Sequence, residues 1–182
     1  MSVRLARHAA NAVSALRVAL TPAFLWCVWR AHRGGSGWAA VGVFAVAALS
    51  DFADGQVARR WGAASTVGRA LDHGADIAFI LSALTLYVWL GVAPWWVPAS
   101  IAAAFGAYVA DSVRRSAPRP VLIGSRIGHL GGICNYVLVG VLAFNNTLGL
   151  EWLSPSVLRV LFALVPFYSA ASIASRAFAA RQ

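Results

Sequence analysis

Lysine is absent from these 182 residues, and aspartate and glutamate together number only six. All fifteen cationic side chains are arginines. The missing lysine carries no mechanism of its own, but the scarcity of charge does. Charged residues make up 12% of the chain against 60% hydrophobic ones, and mean hydropathy is +0.70. That balance excludes an ordinary soluble domain, in which about a quarter of the residues are charged, and reads as one integral membrane domain over residues 1–182. Cysteine is also scarce. Cys27 and Cys134 both lie in apolar runs, too few and wrongly spaced for a disulfide framework or a thiolate metal site, and are expected to be small buried hydrophobes. A small-residue cleavage site is missing too: Arg4 and Arg7 precede the first apolar run, but Trp26, Trp29 and Arg30 stand near its end, so this span is expected to stay in the mature protein. The net charge of +9, set among apolar runs, points to anionic lipid head groups and phosphate-bearing substrates as partners rather than to nucleic acid.

What is present is a series of apolar runs. The expected fold class is all-α, a polytopic membrane protein with six transmembrane helices and a short basic, weakly amphipathic interfacial helix over residues 1–17 that runs into the first span. The spans are expected over residues 9–29, 38–59, 68–92, 99–113, 127–144 and 157–175, the fourth longer if it begins at Trp95. Between them lie a Gly/Arg/Ser-rich loop over 30–37, a short link over 60–67 and a two-proline turn with an interfacial Trp95–Trp96 pair over 91–98. An arginine-rich stretch over 111–126 and a polar loop over 145–155 complete the connections. Gly128, Gly131, Gly132 and Gly140 in the fifth span suit close helix approach or a site wall. Asn145-Asn146-Thr147 matches a glycosylation acceptor, but so short a match is read as chance. Six spans put both termini on one side of the membrane. Eleven arginines fall on that side and three (Arg30, Arg33 and Arg159) on the other, so the termini and the 111–126 loop are expected to be cytoplasmic, in a bacterial inner membrane.

The few acids are concentrated. Asp51, Asp54, Asp72 and Asp76, four of the six, fall within 26 residues at the ends of the second and third spans. A carboxylate at membrane depth costs several kcal/mol unless compensated, so such residues mark function by default. Asp51, Asp54 or Gly55, and Ala58 share one face of a helix, as do Gly68, Asp72 and Asp76. The 60–67 link would return the chain antiparallel and let the two carboxylate faces meet. Opposed oxygen donors of this kind suit one or two divalent cations such as Mg²⁺ or Mn²⁺. Gly55, Ala58 and Gly68 remove bulk where a nucleotide or diphosphate would approach the backbone. Pairing of the acids with Arg59, Arg60 and Arg69 merely to fix helix packing is the competing structural reading. It explains no glycine or alanine at fixed offsets.

The residues Asp51, Asp54, Gly55, Ala58 and Arg59, then eight others, then Gly68, Asp72 and Asp76 fit D-x-x-D-G-x-x-A-R…G-x-x-x-D-x-x-x-D without a gap. This pattern resembles the signature of the CDP-alcohol phosphotransferase family, membrane enzymes that make phospholipid head groups. The resemblance implies that Asp51, Asp54, Asp72 and Asp76 hold two divalent ions, Mg²⁺ or Mn²⁺, with Asp76 also the base that activates the acceptor hydroxyl. It implies further that Asp54, Gly55, Ala58, Arg59 and Gly68 line the CDP pocket, and that the enzyme is a homodimer. Relatives often carry Asn, Ser/Thr and Arg at the start of the first span, so Asn11 and Arg17 are candidates to face the nucleotide; a capping residue and a snorkelling arginine are the alternative. The implied reaction transfers a phosphatidyl or related group from a CDP-linked donor, CDP-diacylglycerol being favoured, to a small polar acceptor, releasing CMP.

Arg114, Arg115, Arg119 and Arg126 lie on the same side as the acids, and planar guanidinium groups suit phosphate recognition. They suggest an acceptor that bears a phosphate, such as glycerol 3-phosphate or an inositol phosphate, although the positive-inside rule alone would also place them there. His73 abuts Asp72 but is turned about 100° from it on a helix, so it is not expected to be a ligand, and His129 is read as a packing residue near the arginine loop. A small cation transporter or channel with the aspartates as its ion path is the competing non-enzymatic class.

Overall fold

In the computed structural model, the backbone is described for residues 3–61, 66–115 and 126–179, and side chains for 15–50, 71–114 and 128–178. Six α-helices account for nearly all of it: α1 (Val3–His32), α2 (Trp38–Trp61), α3 (Thr66–Trp89), α4 (Trp96–Arg115), α5 (Arg126–Leu142) and α6 (Pro155–Ala179). Apolar runs of this length form helices because in a membrane every backbone N–H and C=O must find its partner within the segment. By length and composition, Leu71–Trp89, Gly128–Thr147 and Pro155–Phe178 are each able to cross a bilayer, and Trp38–Ser50 is a shorter apolar helix. The chain is an integral membrane protein.

The basic N-terminal stretch runs without a break into the first span: α1 is 30 residues long, about 45 Å at 1.5 Å per residue, enough to cross a hydrocarbon core of about 30 Å and extend beyond it. Two details depart from what the sequence leads one to expect. At the far end of α5 the polar residues Asn145–Thr147 do not begin a loop but continue the helix as a π turn, Ala143–Thr147. The turn holds because Asn145 is buried and accepts the Leu153 N–H at 2.7 Å, which ties the following segment back and leaves Asn145 unsuited to glycosylation. Finally, Cys134 is exposed and Cys27 half-buried; Cys134 lies on a face of α5 that the other helices leave uncovered, and an apolar thiol tolerates lipid as readily as a core.

The helices alternate in direction. The far ends of α1, α3 and α5 come together around Val28, His32, Tyr87, Leu90, Asn146 and Thr147, with Tyr87 Oη 2.8 Å from Thr147 Oγ1. Helix α1 is the centre of one half of the molecule, with α2 and α3 packed against it, while α4 packs against α6 and α3 links the halves by touching α4 and α5. Between apolar helices in lipid, close packing rather than water exclusion drives association, so small residues matter. Ala40, Ala47 and Ala83 are fully buried, and a Cβ at Gly140 would lie 2.9 Å from the Phe44 ring. Gly37 is tighter still: a Cβ there would overlap the Thr147 carbonyl.

Candidate active site

The acids of α3 occupy its polar end, about 20 Å of helix short of Trp89 at 1.5 Å per residue. Four residues apart, Asp72 and Asp76 stand one above the other on the same face, and the chain closes around them from three other helices. Arg17 of α1 is fully buried and its Nη1 donates to Asp72 Oδ1 at 3.1 Å and to Asp76 Oδ1. Tyr136 of α5 donates its hydroxyl to the same Asp76 Oδ1 at 3.2 Å. His73 places a ring nitrogen so that it and one carboxylate oxygen from each of Asp72 and Asp76 lie within 4.8 Å of one another, and its ring meets the edge of Tyr108 on α4 at 6.3 Å.

Exposure falls with depth. The Asp72 side chain is 35% exposed, Asp76 21% and Arg17 not at all, so the site opens toward the end of the bundle where α3 begins. One turn deeper than Asp76 the polar lining stops. Phe79 is fully buried, stacks on Tyr136 with centroids 5.9 Å apart and 13° between planes, and touches Phe24 at 5.2 Å; Phe44 completes the layer 6.3 Å from Tyr136. The layer closes the site from below with apolar rings.

Arg17 is therefore neither a snorkelling residue nor placed by its own helix face alone. Its backbone carbonyl accepts the Thr21 hydroxyl at 3.0 Å, immediately before Pro22, whose ring leaves one backbone acceptor of α1 without its usual N–H partner. Between two carboxylates a guanidinium that cannot lose its proton supplies the compensating charge that burial of the acids requires.

The other expected site residues divide by position. Asp51, Asp54, Gly55, Ala58 and Arg59 lie on the last turns of α2, Gly68 on the first turns of α3, and Asn11 on α1, but their side chains fall outside the described residues, as does the meeting of all four acids. Among the described residues α2 and α3 each lean on α1; the two approach through side chains, Phe44 and Phe79 being 6.5 Å apart. Arg114 is exposed at the end of α4; Arg115 and Arg126 are described by backbone alone, and Arg119 lies outside the described residues. A cation not singled out in the sequence is buried on this side instead. Arg176 of α6 lies 3.7 Å from Asp111 Oδ2 and 4.5 Å above the Tyr108 ring, so that Tyr108 joins this pair to His73. His129 is exposed rather than packed.

Hard carboxylate oxygens suit Mg²⁺ or Mn²⁺. The close approach of Asp72, His73 and Asp76 is compatible with a cation at this place. A helical membrane bundle with a half-open acidic site, floored by aromatic rings near one end, defines the class: a polytopic membrane protein with a polar site near one end of its bundle. The family follows from the chain itself. Residues 7–175 match the family model of the CDP-alcohol phosphatidyltransferases, and the chain belongs to that family. Over 90 residues it is 42% identical to a cardiolipin synthase (CMP-forming) of Streptomyces coelicolor, covering 48% of this chain and 41% of that protein. It is 37% identical over 90 residues to a probable phosphatidylglycerophosphate synthase of Mycobacterium tuberculosis, covering 48% and 43%. It is also 34% identical over 88 residues to a CDP-diacylglycerol–glycerol-3-phosphate 3-phosphatidyltransferase of Cereibacter sphaeroides, covering 48% and 40%. The matched part thus spans about two fifths of the length of these curated relatives.

Proposed function

We propose that the protein is a metal-dependent phosphatidyltransferase that moves the phosphatidyl group of CDP-diacylglycerol to the hydroxyl of a small polar acceptor and releases CMP. The observation that carries this reading is the convergence of Asp72 and Asp76 with Arg17 and Tyr136 above a closed aromatic floor. In this reading Asp51, Asp54, Asp72 and Asp76 hold one or two divalent cations, Mg²⁺ or Mn²⁺, with His73 within reach, and Asn11, Asp54, Gly55, Ala58, Arg59 and Gly68 line the nucleotide pocket. Bound there, the cations would neutralise the diphosphate and the departing CMP. Asp76 takes the proton of the acceptor hydroxyl at its carboxylate; the acceptor oxygen then bonds to the β-phosphorus as the bond from that phosphorus to CMP breaks. Tyr136 orients the carboxylate, and the aromatic layer bounds the site on its deep side. The same layer counts against an ion path, which would have to cross Phe24, Phe44 and Phe79.

The favoured acceptor bears a phosphate, as glycerol 3-phosphate does, and Arg114, Arg115, Arg119 and Arg126 are the candidates to recognise it. A second reading rests on the 42% identity to the cardiolipin synthase (CMP-forming): there the acceptor hydroxyl belongs to a lipid. The proposal includes a homodimer in a bacterial inner membrane, with termini and site facing the cytoplasm, where Mg²⁺ and CDP-linked donors are found. The test is CMP release from CDP-diacylglycerol by purified protein with Mn²⁺, offered glycerol 3-phosphate, an inositol phosphate or phosphatidylglycerol in turn. Release with one acceptor, abolished by chelator, supports the reading and names the acceptor; no release with any of them ends it.

A further inference from the structure

Arg17 carries an inference that deepens, and rests on, this reading of the site. Its guanidinium donates to Oδ1 of both Asp72 and Asp76 from complete burial. A divalent cation bound by the same two carboxylates would compete for those lone pairs and repel the guanidinium across a few ångströms. Arginine cannot relieve the conflict by losing a proton. It cannot readily reach water either, because its neighbours Leu16 and Val18 are exposed on the apolar outside of α1 while Arg17 points inward. A guanidinium displaced from these two carboxylates in a buried site is drawn to another anion, and a diphosphate presents oxygens that match its planar fork.

We propose that Arg17 is an exchangeable counter-ion: it holds Asp72 and Asp76 until a divalent cation takes them, and is then handed to the diphosphate of the nucleotide donor. Metal and nucleotide are thereby coupled through a residue that opposes the first and favours the second. Coupling of this kind is reciprocal, so each ligand tightens the other by the same factor. An unneutralised cation would bind poorly without its nucleotide, which ties occupancy of the site to arrival of the donor.

The prediction is a pair of effects of opposite sign, which loss of structure would not give. Mn²⁺ binding to the full chain in detergent is followed by the paramagnetic resonance of free Mn²⁺, with and without CDP, for wild type, Arg17→Gln and Arg17→Lys. In Arg17→Gln, Mn²⁺ alone binds about tenfold more tightly, a gain of about 1.4 kcal/mol, while the enhancement by CDP shrinks by about the same factor. Arg17→Lys keeps the charge but not the fork; both quantities move in the same directions by smaller factors, and this variant decides the matter if the Gln protein does not fold. Mn²⁺ affinity that is unchanged or weaker in the variants, with the full enhancement by CDP retained, overturns the proposal. Wild type that binds no Mn²⁺ with or without CDP removes the metal-site reading itself, and this inference with it.

Discussion

Tyr136→Phe tests what one hydroxyl does in the site. The tyrosine ring stacks on Phe79 and borders Phe44, and phenylalanine keeps both contacts, so the substitution removes only the hydroxyl that donates to Asp76 Oδ1 at 3.2 Å. A hydrogen bond to a charged group contributes about 1.5–3 kcal/mol; the length of this one argues for the lower end. If the bond orients the carboxylate for proton transfer, about 1.4 kcal/mol of lost transition-state stabilisation is a tenfold fall in kcat. On the proposed roles Tyr136 acts on the acceptor's base and not on the donor, so the KM for CDP-diacylglycerol should stay within about twofold. Thermal stability should be nearly unchanged, whereas Tyr136→Ala, which also strips the ring from the aromatic layer, should destabilise by about 2–4 kcal/mol. The assay is initial-rate CMP release with each substrate varied, alongside a melting curve for each variant. Wild-type kcat in Tyr136→Phe, or a loss confined to donor KM, would refute the positioning role.

Asp72→Asn and Asp76→Asn should each lower kcat by about 10²–10⁴-fold, measured as CMP release, and full turnover in both would sink the proposed chemistry. Chelation should abolish turnover of the wild type and added Mn²⁺ should restore it; chelator-resistant activity contradicts the metal requirement. Arg114→Ala and Arg119→Ala should raise the acceptor KM well above any change in donor KM, and equal effects on both would end the idea of a phosphate-reading loop. Gly140→Val should cost about 1–3 kcal/mol by driving a side chain into Phe44, seen as a lower melting temperature, and an unchanged melting curve would show that this helix contact yields freely.

Much of this protein is written in local pattern. Scarce charge and long apolar runs determine a helical membrane protein, and the helices Trp38–Trp61 and Thr66–Trp89 begin and end within a few residues of where the runs do. The eight-position aspartate, glycine, alanine and arginine pattern determines the family, and the shared face of Asp72 and Asp76 follows from a four-residue spacing. Helical spacing does not say which other helix that face meets. Arg17 reaches Asp72 and Asp76 across 55 and 59 residues, and Tyr136 reaches Asp76 across 60; tertiary packing alone decides those contacts. The same holds for Cys134 on an outer face, for Arg176 buried above Tyr108, and for the π turn tied down by Asn145. The physical reason is the solvent. In water an apolar stripe points to the core, but in a bilayer the lipid-facing and core-facing sides of a helix are alike apolar. Hydrophobic pattern thus loses its sense of direction, and only close packing around small residues such as Gly140 and Ala83, and the need of each buried charge for a partner, settle which faces turn inward.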